Sequence, residues 1–188
     1  MRLILVRHGE TDNNMKYNGI TDVSLSHNGR LQAELIKKRL ENEPIAKIYT
    51  SDLSRAVETA KTINLPHGVD LEIEPDLREI NFGLWEGLTF SEINIRYNEQ
   101  FKKWMEKTTD FRFPEGETLG EVRKRAAKVL TRIKKEQKDI IMVGHGGPIR
   151  IILCEVLNLD LSNFWKISID QGSINVVKLE KGGAVWLN

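Results

Sequence analysis

The feature that most constrains the fold is a short apolar run, Leu3-Ile4-Leu5-Val6, that ends abruptly in Arg7-His8-Gly9. The run does not alternate apolar with polar residues. Strands of this kind are buried on both faces, as in parallel sheets covered by helices. Ligands of open α/β sheets sit in the crevice beyond the carboxyl ends of such strands. Arg7 and His8 therefore emerge where a site is expected, and Gly9 lets the backbone turn closely around them. A second run of the same kind, Ile140-Ile141-Met142-Val143, leads into Gly144-His145-Gly146-Gly147.

Between these runs, helical and extended patterns alternate. A polar loop spans Asp12 to Leu25, and Ser26 is a plausible N-cap. The helix after it is expected to bury Leu31, Leu35, Ile36 and Leu40 on one face and to stop at Pro44. Ile45 to Tyr49 reads as a strand, followed by a helix carrying Leu53, Val57, Ala60 and Ile63 that ends near Pro66. Asp70 to Ile73 reads as a third strand. Thr89 and Glu92, then Thr118 and Glu121, have the capping-box spacing that satisfies free N–H groups at a helix start. The first box predicts one helix bearing Phe90, Ile93, Tyr97, Phe101 and Trp104, an aromatic stripe of ordinary core character. The second opens a helix with Val122, Ala126, Val129, Leu130 and Ile133 inward. After His145, Pro148 suits a first helical position. Ser173 to Leu179, a Lys-Gly-Gly turn and Ala184 to Leu187 predict a closing hairpin. The fold expected is a three-layer α/β/α sandwich with a mostly parallel sheet, in a single domain spanning residues 1–188.

Composition narrows the function. The 28 basic and 27 acidic residues leave a net charge of +1, without the basic excess of a general nucleic-acid binder. No apolar run approaches the ~20 residues that span a bilayer, so no membrane partner is expected. Leu3 to Val6 is too short for the apolar core of a signal peptide. Cys154 is the sole cysteine, so no intrachain disulfide can form and the cytoplasm is the expected compartment. It falls within an apolar helix and reads as inert core. His27 and His67 lie in turn-like stretches and receive no role. No close pair of His, Cys or Asp stands at metal-ligand spacing. A homo-oligomer stays open.

The strand ends share one property. Arg7 and His8 follow the first strand, Arg55 lies in the first turn after the second, and His145 follows the strand before Pro148. A sheet of this class can bring all four to its carboxyl edge. Arginine's planar fork matches phosphate bidentately. Free N–H groups at the helix start after His145, Gly146 among them, add affinity for anions. A phosphoryl group is the expected ligand.

The same residues carry a family resemblance. Arg7-His8-Gly9-Glu10-Thr11, with Asn14, resembles the signature of the histidine phosphatase superfamily, the phosphoglycerate mutase-like proteins. The match continues through Tyr17, Gly19, Asp22, Leu25 and Gly29, then Ser51-Asp52-Leu53 with Arg55-Ala56. Leu77-Arg78-Glu79 through Phe82-Gly83-Leu84-Trp85-Glu86-Gly87 and Gly144-His145-Gly146-Gly147 complete it. The resemblance implies two-step phosphoryl transfer through a phosphohistidine, with neutral His8 as nucleophile. Arg7, Arg55 and His145 would hold the phosphoryl oxygens, with Asn14 a further phosphate contact and Asn18-Gly19 a looser one. Glu79 matches the general acid, which then activates water. The alternative for Glu79 is an ion pair with a neighbour such as Arg78. Neither metal nor cofactor is implied, and the partner is a small phosphorylated metabolite.

The compact segment between Glu79 and His145 looks like the phosphatase branch. The tail, Gly146-Gly147-Pro148-Ile149-Arg150 with Asn163-Phe164-Trp165 and Gly172-Ser173, looks closest to alpha-ribazole phosphatases of cobalamin synthesis. Phosphoserine phosphatases share much of that tail. Phosphoglycerate mutase activity and a non-catalytic phospholigand-binding module stand as the alternatives. The residues that choose the alcohol are expected between Phe82 and Phe113.

Overall fold

The computed structural model describes residues 1–12, 15–106, 109–180 and 183–187. Asn14 lies outside the described residues, as do Lys181 and Gly182 of the expected closing turn.

Strand β1 (Arg2–Arg7) lies inside a six-stranded sheet with β2 (Lys47–Thr50), β3 (Asp70–Ile73), β4 (Ile140–Gly144), β5 (Ile174–Glu180) and β6 (Gly183–Trp186). The order is β3-β2-β4-β1-β5-β6. The first four strands are mutually parallel, whereas β5 and β6 are added antiparallel. The apolar runs of β1 and β4 pair side by side, Leu3 with Ile140 through Arg7 with Gly144. Side chains alternate across a strand, so each run feeds two cores. Leu3, Leu5, Ile140 and Met142 join one cluster, and Ile4, Val6, Ile141 and Val143 the other.

Helices α1 (His27–Leu40) and α2 (Ser54–Asn64) cover the second cluster. Helices α5 (Leu119–Ile133) and α6 (Gly146–Val156) cover the first. Right-handed crossovers place helices on opposite faces when the chain reverses its direction across the sheet. Here it runs from β1 through β2 to the β3 edge and then returns to β4. The helices that follow the neighbouring strands β1 and β4 therefore lie on opposite faces. Between those strand ends opens the crevice in which such folds bind ligands.

Three local expectations are corrected. In α1, Leu31 and Leu35 are exposed, and the buried face is Gly29, Ala33, Ile36 and Leu40. Gly29 sets this rotation: a Cβ there would lie 2.0 Å from the Glu10 carbonyl oxygen, so the helix presses its glycine against the loop after β1. The single aromatic helix is two, α3 (Phe90–Arg96) and α4 (Asn98–Met105), broken at Tyr97, whose φ of −129° and ψ of 40° leave the helical region. Phe101 and Trp104 are core, but Phe90 is exposed. Pro148 is the third residue of α6, since the helix starts at Gly146. Both capping boxes form as expected. Cys154 is buried, and burial pushes its thiol pKa up. Among the described residues no helix is long and apolar enough to cross a membrane.

Candidate active site

His8 sits one residue beyond β1. Its N–H donates to the Gly144 carbonyl at 3.0 Å, extending the β1–β4 ladder, and its own carbonyl accepts from the Gly172 N–H at 3.0 Å. The backbone is thus held from both sides. The next residue must be small, because a Cβ on Gly9 would fall 2.3 Å from the Gly29 carbonyl oxygen. His8 is 5% exposed, and its Nδ1 lies 2.7 Å from the Gly9 carbonyl. A carbonyl can only accept, so Nδ1 carries the proton and Nε2 keeps its lone pair. Burial, then the charges of Arg55 and Arg7, pushes the His8 pKa down to about 3. The ring is neutral and nucleophilic at physiological pH.

His145 sits one residue beyond β4, at the N-cap of α6, with its ring centroid 5.0 Å from that of His8. It is fully buried, and neither ring nitrogen has a hydrogen-bond partner among the described residues. Burial and the adjacent His8, Arg55 and Arg7 hold its pKa well below the usual histidine range. A buried, unsatisfied polar group is costly and calls for an explanation.

Arg55 lies in the first turn of α2 and is almost wholly buried. Its Nη1 donates to the Thr21 carbonyl at 2.9 Å, and Nη2 donates to the Gly19 and Asn18 carbonyls at 2.6 and 3.2 Å. Glu86 shapes that loop by accepting from the N–H groups of Gly19, Ile20, Thr21 and Phe82 at 3.0 to 3.2 Å. Gly19 thereby changes role. Its amide is committed to Glu86 and its carbonyl to Arg55, so it positions the arginine and does not line the pocket. Asn18 does line it. Arg7 donates from Nη1 to the Ile169 carbonyl at 2.6 Å, while Nε of Arg7 and Nε of Arg55 are buried without a hydrogen-bond partner among the described residues. Burial lowers the pKa of both, yet arginine keeps its charge.

Glu79 faces these cations from the segment after β3, and its side chain contributes to the field at both arginines. Its Oε1 accepts from the N–H groups of Ile80 at 2.9 Å and Gly147 at 3.0 Å. A Cβ on Gly147 would stand 2.4 Å from that oxygen, so glycine is what lets the carboxyl approach the start of α6. The alternative pairing with Arg78 is not the one formed, because Arg78 forms a bidentate pair with Asp52. The Glu79 segment is clamped from α5 instead. Arg125 donates to the carbonyls of Asp76, Arg78 and Glu79 and pairs bidentately with Glu117.

These side chains line one open pocket of about 290 Å³ that contains Arg7, His8, Arg55, Glu79 and Gly146. His145 stands behind His8. The geometry suits in-line attack on a phosphoryl group by His8 Nε2, with arginines on its oxygens and a carboxyl across the pocket. No group of three or more His, Cys, Asp or Glu among the described residues is arranged to hold a metal ion. Sequence reasoning missed Arg150, Glu86, Glu117 and Arg125 as parts of this centre. Arg150 follows Gly146 by four residues, which puts it on the same helical face, and that spacing was a usable signal.

A profile of the histidine phosphatase superfamily (branch 1) matches residues 3–188. The chain belongs to that superfamily. It is 34% identical over 185 residues to phosphoserine phosphatase 1 of Hydrogenobacter thermophilus, covering 96% of this chain and 88% of the relative. Among solved structures it resembles the alpha-ribazole phosphatase of Shigella flexneri, with a TM-score of 0.93 at 25% identity, covering 100% of this chain and 95% of that one. It also resembles phosphoserine phosphatase from Entamoeba histolytica in complex with phosphoserine, with a TM-score of 0.87 at 29% identity over 100% and 95% of the two chains. Family and relatives together support a phosphatase.

Proposed function

We propose that the chain is a metal-independent phosphomonoesterase that hydrolyses a small phosphorylated metabolite through a phosphohistidine on His8. The observation that carries this reading is the state of His8: neutral, with its Nδ1 proton committed to the Gly9 carbonyl and its other nitrogen free to attack. In the first step Nε2 forms a bond to phosphorus while the bond to the ester oxygen breaks. Glu79, entering with a proton, donates it to the departing alkoxide. Arg7, Arg55 and His145 stabilise charge on the phosphoryl oxygens. In the second step water attacks the phosphohistidine as Glu79 takes its proton, and inorganic phosphate leaves. Each turnover returns His8 to the neutral form and Glu79 to the acid. The relatives named above are phosphoserine and alpha-ribazole phosphatases, and both compounds belong in a substrate screen.

The test is phosphate release from p-nitrophenyl phosphate in EDTA. Activity should survive chelation, and His8→Ala should abolish it. Loss of activity in chelator, or a His8→Ala variant as active as wild type, would sink the reading.

A further inference from the structure

The chain has twelve arginines. Nine of them form an ion pair with a carboxylate. The three without such a pair among the described residues are Arg7, Arg55 and Arg150, and all three line the same pocket. A transferring phosphoryl group is matched by the first two. The third is in excess: Arg150 is half-buried and feels the charges of Glu79 and Asp170, but it forms an ion pair with neither.

Arg150 is fixed in place. It projects from α6, its Nε donates to the Ile167 carbonyl at 2.8 Å, and its guanidinium carbon stands 5.3 Å from the centre of the Phe164 ring. Neither terminal nitrogen has a hydrogen-bond partner among the described residues. Its position is on the leaving-group side. A second cavity of about 320 Å³ adjoins the first, shares Glu79 and Arg150 with it, and contains none of His8, Arg7 or Arg55. Its other walls are mainly aromatic, with Phe82, Trp104 and Trp165 prominent. Since Glu79 must reach the ester oxygen, the alcohol portion extends into this cavity and meets Arg150.

We propose that Arg150 binds a carboxylate carried by the alcohol, so that the substrates are phosphorylated hydroxy or amino acids. The proposal rests on the phosphomonoesterase reading above. A planar carboxylate matches one guanidinium fork, whereas a second phosphate would face only this one cation in an apolar-walled cavity. Carboxylate binding here also places that charge near the proton donor without competing for the phosphoryl arginines.

The experiment compares kcat/KM of the full chain on matched pairs that differ by the carboxylate: O-phosphoserine against phosphoethanolamine, and 2-phosphoglycolate against ethyl phosphate. Charged hydrogen bonds of this kind predict a preference of roughly 10- to 100-fold for the carboxylate member. In Arg150→Gln that preference should collapse to about onefold, and Arg150→Lys should retain part of it. Because the ratio is taken within each protein, a partly unfolded variant does not mimic the result. Equal rates on both members in wild type overturn the proposal, as does a preference unchanged in Arg150→Gln. A preference of tenfold or more for alpha-ribazole 5′-phosphate over every carboxylate substrate overturns it too. Failure on all of these and on p-nitrophenyl phosphate overturns the phosphatase reading, and the carboxylate site with it.

Discussion

Replacing Gly147 by alanine would set a methyl carbon 2.4 Å from Oε1 of Glu79 and 2.8 Å from Cδ1 and Cγ1 of Ile80. Contacts that short must be relieved. Helix α6 cannot retreat far, because Ile149, Ile151, Ile152 and Leu153 are all in the core. The carboxyl group is therefore displaced, and it loses the hydrogen bond donated by the Gly147 N–H. A displacement of about 1 Å in a catalytic group costs on the order of 100-fold, within the 10²- to 10⁴-fold that general acid catalysis contributes. The assay is kcat/KM, which reports the step that forms the phosphohistidine. On an alkyl phosphate, whose alkoxide needs a proton, it should fall by about 100-fold; on p-nitrophenyl phosphate, whose phenolate leaves unaided, by less than about tenfold. Overpacking costs roughly 1–3 kcal/mol, so the variant should remain folded, which circular dichroism checks. An equal fall on both substrates would refute the reasoning, as would an unchanged rate on the alkyl ester.

The Arg125 clamp predicts a stability effect. Arg125→Met leaves three carbonyls without their donor and Glu117 with only the Asn81 N–H, which should cost about 3 kcal/mol and lower Tm by roughly 6–12 °C; an unchanged melt contradicts it. His8 predicts a pH dependence. Its folded pKa is depressed to about 3 from 6.5, so the unfolded chain binds the extra proton between those values. The stability it contributes is fully present above pH 6.5 and is lost as pH falls toward 3; His145 acts with the same sign. Urea midpoints should drop between pH 7 and pH 5, and a flat profile opposes this. Nitrogen-detected NMR at pH 6 should find His8 as the neutral Nδ1–H tautomer, whereas an imidazolium pattern would contradict it.

Local rules carried much of the fold. The apolar runs of β1 and β4 identified strands buried on both faces, and their ends located Arg7, His8 and His145 without reference to tertiary contacts. The capping boxes at Thr89 and Thr118 are decided within four residues, and both form. What periodicity could not supply was contact between distant segments. The face of α1 depends on Gly29 meeting the loop after β1, so apolar Leu31 and Leu35 point outward despite their spacing. The break at Tyr97 divides a pattern that reads as continuous. Arg125 acquires its meaning only where α5 passes the carbonyls of residues 76, 78 and 79. Arg150 stands out only once nine arginines are matched with their carboxylates and Arg7 and Arg55 with the phosphoryl site. The sequence places the alcohol-choosing residues between Phe82 and Phe113; the cavity beside Glu79 takes Phe82 and Trp104 from that segment and Phe164 and Trp165 from far along the chain.

The central claim is that phosphorus becomes bonded to His8. Rapid quenching in alkaline detergent after mixing the enzyme with a ³²P-labelled phosphomonoester tests it most directly. The account predicts acid-labile, alkali-stable label on the peptide containing His8, absent from His8→Ala and accumulating when Glu79→Gln slows attack by water. Turnover with no label trapped, or label on another residue, would contradict it.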